Sequence, residues 1–472
     1  MRTVDSSRGG LSCAAILCVA CFTFGLTQAS VAAASDDTPR PNIVFIVADD
    51  LGYGDLGCYG QRRIKTPQLD RLAGQGMRFT SCYAGSTVCA PSRCTLMTGL
   101  HTGHARIRSN GRVPLEPDDV TIAEILKGTG YATGIVGKWG LGEPDTTGIP
   151  TRQGFDEWFG YLNQHHAHNY YPDYLWKNEQ KVTFPNVVQD NVATTRAVYS
   201  ADLFTREALD FLDRHRREPF FLYLPFTLPH ANNEAGKQGM EVPSDAPYSR
   251  EPWPQAQKNH AAMITYLDTQ VGRILARLAE LNLDQNTIVF FTSDNGPHRE
   301  GGADPEFFKS SGPLSGFKRS LHEGGIRVPM IVRFPGHIAA GTVSSQVWAL
   351  WDVLPTLAEL AGARAPEGLD GISMVPALLG EKTAGRAQAN HEYLYWEFPE
   401  RGFSQAVRFG DWKVIRQKPG VPLELYDLAR DEAEQHNVAS HHAEIIQQAE
   451  SILAGARTES KHWPVDLKPA AP

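Results

Sequence analysis

Asn42-Ile-Val-Phe-Ile-Val-Ala48, followed at once by Asp49-Asp50, is the stretch on which the fold turns. A charge-free run rich in β-branched residues reads as a strand buried on both faces, the kind found in parallel sheets covered by helices. Similar apolar runs stand at 132–136, 220–225, 287–292 and 329–334. Helical patterns at 66–75, 120–127, 195–214 and 258–281 lie between them. This alternation predicts an α/β fold, with a large, mainly parallel sheet sandwiched by helices. Ligands of such sheets collect at the carboxyl ends of the strands. The residues just past each apolar run are therefore the ones to read for chemistry.

Outward from this centre the pattern changes twice. Beyond residue 380, short alternating runs at 392–398, 405–416 and 423–428 are joined by Gly, Pro and Asp turns, and an amphipathic stretch follows at 442–454. They predict a small antiparallel sheet with one helix, a subdomain over 381–472 hinged at 381–390. At the other end, Arg2 and Arg8 precede a charge-free run at 11–26 and an Ala-Ala-Ala at 32–34. That is the pattern of a secretory signal peptide over 1–34, leaving a main domain over 35–380. The run is short of the about 20 residues a spanning helix needs, so the expected destination is the periplasm or the exterior, with no membrane span.

Among the 472 residues, 45 Lys plus Arg face 53 Asp plus Glu, and no basic block occurs. A protein that grips nucleic acid by neutralising phosphates is excluded. Cys13, Cys18 and Cys21 leave with the signal, while Cys58, Cys82, Cys89 and Cys94 stay. In an exported protein two or all four of these would pair; with one kept for chemistry, at most one bridge forms among the other three.

The strand ends carry oxygen donors. The first ends in Asp49-Asp50, and the strand at 287–292 ends in Ser293-Asp294-Asn295-Gly296. Either pair alone would serve as a solvated turn. Together, three carboxylates and an amide suit a hard divalent cation, Ca²⁺ or Mg²⁺. Cys89-Ala90-Pro91-Ser92-Arg93 opens a helical stretch in which Pro91 fits the first turn. Cys89 is thereby placed near a helix N-terminus, where an anion is favoured, with Arg93 one turn along the same face.

C-A-P-S-R at 89–93 resembles the Cys-x-Pro-x-Arg signature of the formylglycine-dependent sulfatases, within the alkaline-phosphatase-like superfamily. The resemblance takes in P-N-I-V-F-I-V-A-D-D-L-G-Y-G-D-L from Pro41, T-I-A-E-I-L-K-G-T-G-Y-A-T-G-I-V-G-K-W-G-L-G from Thr121 and L-P-H at 228–230. It continues in the family's order with T-S-D-N-G at 292–296, G-F-K-R-S-L-H-E-G-G-I-R-V-P from Gly316 and L-Y-D-L at 425–428.

This resemblance implies an alkaline-phosphatase-like fold, a large mixed sheet sandwiched by helices, with the small C-terminal antiparallel sheet appended. It implies an enzyme that hydrolyses O-sulfate esters of carbohydrates or small aryl alcohols. By the family pattern, Cys89 is oxidised to Cα-formylglycine by dedicated maturation machinery. The hydrated aldehyde then attacks sulfur through one hydroxyl and expels sulfate through the other. The same pattern makes Asp49, Asp50, Asp294 and Asn295 hold the cation together with residue 89, Ca²⁺ being the expected ion. It also gives Arg93 the hydrated aldehyde to stabilise, and Lys138 and Lys318 the sulfate oxygens to neutralise. His230 would protonate the departing alkoxide with Lys318.

One departure stands out. The family's G-K-W-H-L-G is here Gly137-Lys138-Trp139-Gly140-Leu141-Gly142, and the lost histidine normally contacts the formylglycine hydroxyl. His104, His165, His166 and His168 are the candidates to replace it at the substrate, with Tyr170 and Tyr171 as a wall for a sugar face. Two competing readings remain: a phosphonate monoester or phosphodiester hydrolase using the same modified residue, and a non-catalytic glycan-binding relative.

Overall fold

The computed structural model describes residues 40–400 and 402–465; the signal peptide expected at 1–34 lies outside the described residues. In chain order the strands are β1 (Asn42–Ala48), β2 (Met77–Tyr83), β3 (Ala132–Lys138), β4 (Glu157–Tyr161), β5 (Tyr174–Lys177) and β6 (Gln180–Thr183). Next come β7 (Val187–Gln189), β8 (Val192–Thr195), β9 (Phe220–Pro225), β10 (Thr287–Ser293), β11 (Arg327–Arg333), β12 (Thr342–Ser344) and β13 (Trp348–Ala349). The main sheet runs β12-β2-β11-β10-β1-β9-β3-β4-β5-β6, with β13 also on β2. Its centre, β10-β1-β9-β3-β4, is parallel. β11 joins β10 antiparallel, β2 joins β11 antiparallel, and β5 and β6 close the other side in the same sense.

β1 shows why the sheet lies in the middle. Successive strand side chains point to opposite faces. Val44 and Ile46 enter one core with Phe204 and Phe211 of α4 (Ser200–His215) and Leu267 and Val271 of α5 (Gln255–Glu280). Ile43, Phe45 and Val47 enter the other, with Met97, Leu126 and Leu354 from three helices. Two of these are α2 (Cys89–Thr98) and α3 (Ile122–Gly128); α1 (Pro67–Gly74) covers the first face. α3 starts on a capping box, Thr121 with Glu124, which satisfies two donors at its first turn.

The expected appended sheet is β14 (Leu394–Phe398), β15 (Ser404–Phe409), β16 (Trp412–Arg416) and β17 (Glu424–Asp427), antiparallel in that order. The helix Ala443–Gly455 buries Ala449 and Leu453 on one face of it. Trp396, Ala406 and Ile415 on the other face meet Tyr83, Val88 and Trp351 of the main domain. Buried ion pairs fasten this joint: Arg108 Nη1 to Glu397 at 2.9 Å, and Lys413 Nζ to Glu323 at 2.8 Å and Glu434 at 3.1 Å.

Several expectations need correction. The helix expected from 195 begins at Ser200, because β8 pairs with β7 and uses the residues up to Thr195. The run 405–416 is a hairpin, turned at Gly410 with φ 55°. β2 and β4 give no apolar run to read, because Arg78, Thr80 and Glu157 interrupt the pattern. Among the described residues no disulfide forms, for Cys58, Cys82, Cys89 and Cys94 are all unpaired. Cys82 and Cys94 are instead packed as small apolar groups in the core around α2. No helix among the described residues is long and apolar enough to cross a membrane.

Candidate active site

Strand register assembles the site. Ala48 of β1 lies beside Ser293 of β10, so the two donor pairs leave the sheet side by side. The Asp50 N–H donates to Asp294 Oδ1 at 3.1 Å and Leu51 N–H to Ser293 Oγ at 2.9 Å, which locks the two turns together. Asp50 sits at φ 64°, a left-handed conformation that Asp tolerates better than most residues. Lys138 ends β3, and His230 follows β9 by a short loop. Cys89 is the first residue of α2, with Val88 as its extended N-cap.

These side chains converge. Cys89 Sγ donates to Asp49 Oδ1 at 3.3 Å, and Lys138 Nζ to Asp49 Oδ2 at 2.7 Å. Arg93 grips Asp294 Oδ2 through Nε at 3.0 Å and Nη2 at 2.8 Å, while its Nη1 holds the Lys138 carbonyl. Lys318 Nζ donates to Asp50 Oδ2 at 2.8 Å and lies 3.0 Å from His230 Nε2. His230 Nδ1 lies 2.6 Å from the Ala231 carbonyl. Only a protonated Nδ1 can make that bond, so Nε2 is the acceptor that faces Lys318.

Buried Asp49, Asp50 and Asp294 thus meet buried Arg93, Lys138 and Lys318, three charges of each sign. The balance is uneven in detail. Burial opposes the Asp49 carboxylate, yet Lys138 and Arg93 outweigh it and hold the group well below the usual carboxylate range. Burial and the charge of Asp49 push the Asp294 carboxyl up to about 7 against the pull of Arg93. Burial and Asp49 also push the Cys89 thiol well up, so as a plain cysteine it holds its proton and is a poor nucleophile. Asn295 Nδ2 donates to Asp50 Oδ1 at 2.6 Å, and Asn295 Oδ1 is buried with no partner. An unused carbonyl oxygen beside crowded carboxylates fits a hard cation. The compact grouping of Asp49, Asp50, Cys89 and His230, within 4.8 Å of one another, is less apt for such an ion, since His230 Nε2 is engaged by Lys318. The oxygen set is the better match.

Comparison with known proteins shows the family. The Sulfatase family model matches residues 41–363, and that for the C-terminal part of N-sulphoglucosamine sulphohydrolase matches 316–459. The chain belongs to the sulfatase family. It is 35% identical to the N-acetylgalactosamine-6-sulfatase of Rattus norvegicus over 72% of this chain and 66% of the rat protein, so just under two thirds of that relative is spanned. It is 30% identical to the N-acetylgalactosamine-6-O-sulfatase of Bacteroides thetaiotaomicron over 89% of this chain and 94% of the relative. Its fold superposes on the crystal structure of Ps i-CgsB in complex with k-i-k-neocarrahexaose with a TM-score of 0.76 at 30% identity, covering 88% of this chain and 93% of that one.

In this sulfatase the four candidate histidines separate. His168 stacks on His230, with centroids 4.9 Å apart and planes 13° apart, and Glu234 holds its Nδ1 at 3.0 Å. His165 is exposed and lies 3.4 Å from the same Glu234. His166 is packed against Tyr161 and Tyr174. His104 belongs to another group, stacked on His101 and bonded to Asp370. The expected sugar wall of Tyr170 and Tyr171 is overturned. Both rings are buried against Tyr199, and the Tyr170 hydroxyl bonds the backbone carbonyls of the Thr227–His230 loop. They are core residues, and Tyr170 fixes the loop that carries His230.

Glu300 and Arg319 were missed. Glu300 Oε2 accepts from Lys318 at 3.0 Å and its Oε1 from Arg319. Burial would raise the Glu300 carboxyl, but Lys318 outweighs it and brings the group down to about 2. The signal was available: Pro297-His298-Arg299-Glu300 continues directly from the β10 donors, past the point where strand-end reading stops.

Proposed function

We propose that this sulfatase is an exported enzyme that hydrolyses O-sulfate esters of carbohydrates after Cys89 has been converted to Cα-formylglycine. One observation carries the reading: Cys89 Sγ, at the first turn of α2, touches Asp49 inside a buried cluster where three cations already balance three carboxylates. A divalent cation on Asp49, Asp50, Asp294 and the Asn295 oxygen, together with residue 89, would give the cluster surplus positive charge, which suits an anionic sulfate. Ca²⁺ is the expected ion, Mg²⁺ the second choice. Such an ion supplies Lewis-acid polarisation, and formylglycine supplies a hydrated aldehyde nucleophile.

The chain's own groups do the remaining work. Arg93 and Lys138 face residue 89 through Asp294 and Asp49 and offer N–H donors to the nucleophile and to sulfate oxygens. Lys318 carries the proton at the leaving side. Its partner His230 presents an unprotonated Nε2, so Lys318 is the immediate donor to the departing oxygen and His230 the base that holds it in place. Glu300 restrains Lys318 from the other side. Among the loop histidines we assign substrate contact to His168, a choice supported by its stacking on His230.

A carbohydrate substrate is supported by the relatives' names, which specify N-acetylgalactosamine sulfate and a bound neocarrahexaose. Export is supported by the residue pattern at 1–34; maturation then requires formylglycine-generating machinery in the host. Catalysis is assigned to 35–380, with 381–472 as its appended subdomain. The test is mass analysis of the peptide containing Cys89, with side-by-side turnover of sulfated monosaccharides, p-nitrophenyl sulfate and the corresponding phosphate and phosphonate esters. Aldehyde at residue 89 and preference for sulfate are expected. Preference for phosphonate esters would install the competing hydrolase reading, and binding without turnover by aldehyde-bearing protein the glycan-binding one.

A further inference from the structure

Gly140 leaves the place of a side chain, and a neighbour fills it. A Cβ built on Gly140 would lie 2.0 Å from Gln164 Nε2 and 3.1 Å from Gln164 Cδ. Gly140 also has φ 83°, a conformation that side chains rarely adopt. A side chain at 140 would make the Gln164 amide, the far end of a flexible side chain, swing aside; in the present conformation that amide occupies the space over Gly140.

The Gln164 amide is also unspent. Its Oε1 and Nε2 are both buried, and neither has a hydrogen-bond partner. Buried amides are nearly always paired, and each orphan group costs stability. The neighbouring amides are committed. Asn163 Nδ2 donates to Glu143 at 3.2 Å, and Asn110 Oδ1 accepts from Ala90 N at 3.0 Å, directly beside Cys89. Asn110, Arg112, Gly140, Asn163, Gln164 and His165 line one cavity of about 150 Å³. One wall is thus tied to the residue after Cys89. Another follows Lys138, whose ammonium binds Asp49. His165 leads to Glu234, which holds the His168 that stacks on His230. The cavity's walls are thus linked to the reactive cluster through the chain and these hydrogen bonds.

We propose that Gln164 is a specificity-determining residue whose amide hydrogen-bonds the sugar portion of the substrate, in the polar subsite that it lines with Gly140 and Asn163. A primary amide offers donors and an acceptor in one plane, which matches neighbouring sugar hydroxyls or an N-acyl group. A flat aryl leaving group has no such groups to offer. A site built to bond hydroxyls discriminates strongly against ligands that lack them. The amide has no titratable proton, so this position supplies recognition and takes no part in proton transfer. The inference rests on the sulfatase reading for where the sulfate sits.

The test uses Gln164→Leu, which removes both polar atoms and leaves a branched apolar side chain one carbon shorter. With matured enzyme, kcat/KM for N-acetylgalactosamine 6-sulfate and galactose 6-sulfate should fall by at least about 10-fold, mainly through KM. Turnover of p-nitrophenyl sulfate should stay within about 3-fold, and Tm should hold or rise, because two orphaned groups are lost. Gln164→Glu, which keeps an acceptor but loses the donor, should fall between. In parallel, the affinity of Cys89→Ser protein for the same two sulfated sugars should weaken by at least about 5-fold on adding Gln164→Leu. Equal losses on sugar and aryl esters, or no loss on either, would overturn the proposal and leave Gln164 a filler beside Gly140. If the parent enzyme cleaves no sulfate ester, the functional reading fails by itself; the binding arm still decides the role of Gln164.

Discussion

Two buried charge clusters in this protein have opposite characters. Where the C-terminal sheet packs on the rest of the fold, Lys413 sits between Glu323 and Glu434, and all three are buried. Burial alone would raise the Glu323 carboxyl, yet Lys413 and Arg327 bring it down to about 2. At the strand ends, Asp294 is instead pushed up to about 7 and Asn295 Oδ1 has no partner. The first cluster is electrostatically complete, so it fastens. The second is crowded with negative charge on one side and unsatisfied on the other, so it is built to receive ligands. Burial is equal in the two; closure of the bonding separates glue from chemistry.

The sharpest way to break that comparison is to delete one member from each cluster. Cys89→Ala should cost at least about 10⁴-fold in sulfate release, as expected for a lost nucleophile, while Tm stays within about 2 °C. Measurable turnover near the parent rate would remove the strand-end cluster from catalysis. Lys413→Met should do the reverse. It strands two buried carboxylates and should destabilise by about 3–5 kcal/mol, read by denaturant unfolding. A stable Lys413→Met protein would show that the joint is not held by its ions. In the parent, the depressed carboxyl of Glu323 contributes stability present above the ordinary carboxylate range. That contribution is lost as pH falls from there toward about 2, so the joint should survive mild acid.

The smallest effect concerns the cation. The raised carboxyl of Asp294 means that the metal-free fold loses stability as pH rises through about 7. Ca²⁺ must displace that proton, so at limiting Ca²⁺ the gain in Tm should be a few °C larger at pH 8 than at pH 5. An equal gain at both pH values would place the ion elsewhere.

Much of the fold was legible because buried parallel strands announce themselves as apolar runs. β1, β3, β9 and β10 are all of this kind. β2 and β4 were not, since partly polar strands lose that signal. In the site, Asp49, Asp50, Cys89, Arg93, Lys138, His230, Asp294 and Lys318 were legible as residues in motifs. Gln164 stands outside those motifs and was invisible, while Glu300 lies just past T-S-D-N-G and was passed over. Tyr170 and Tyr171 misled, for an aromatic pair beside histidines reads equally well as a sugar platform or as core, and only burial tells them apart.

The sequence by itself determined the family, the sheet and most of the residues that meet at the strand ends, because those depend on local pattern and on which residues follow a strand. Tertiary structure alone decided who bonds whom. The pairing of Asp294 with Arg93, the acceptor state of His230 Nε2 and the filling of Gly140 by Gln164 join residues as much as 201 positions apart. Such contacts depend on strand register, where a slip of one residue turns every side chain to the other face, and on steric exclusion between side chains. Neither is written in any one stretch of chain.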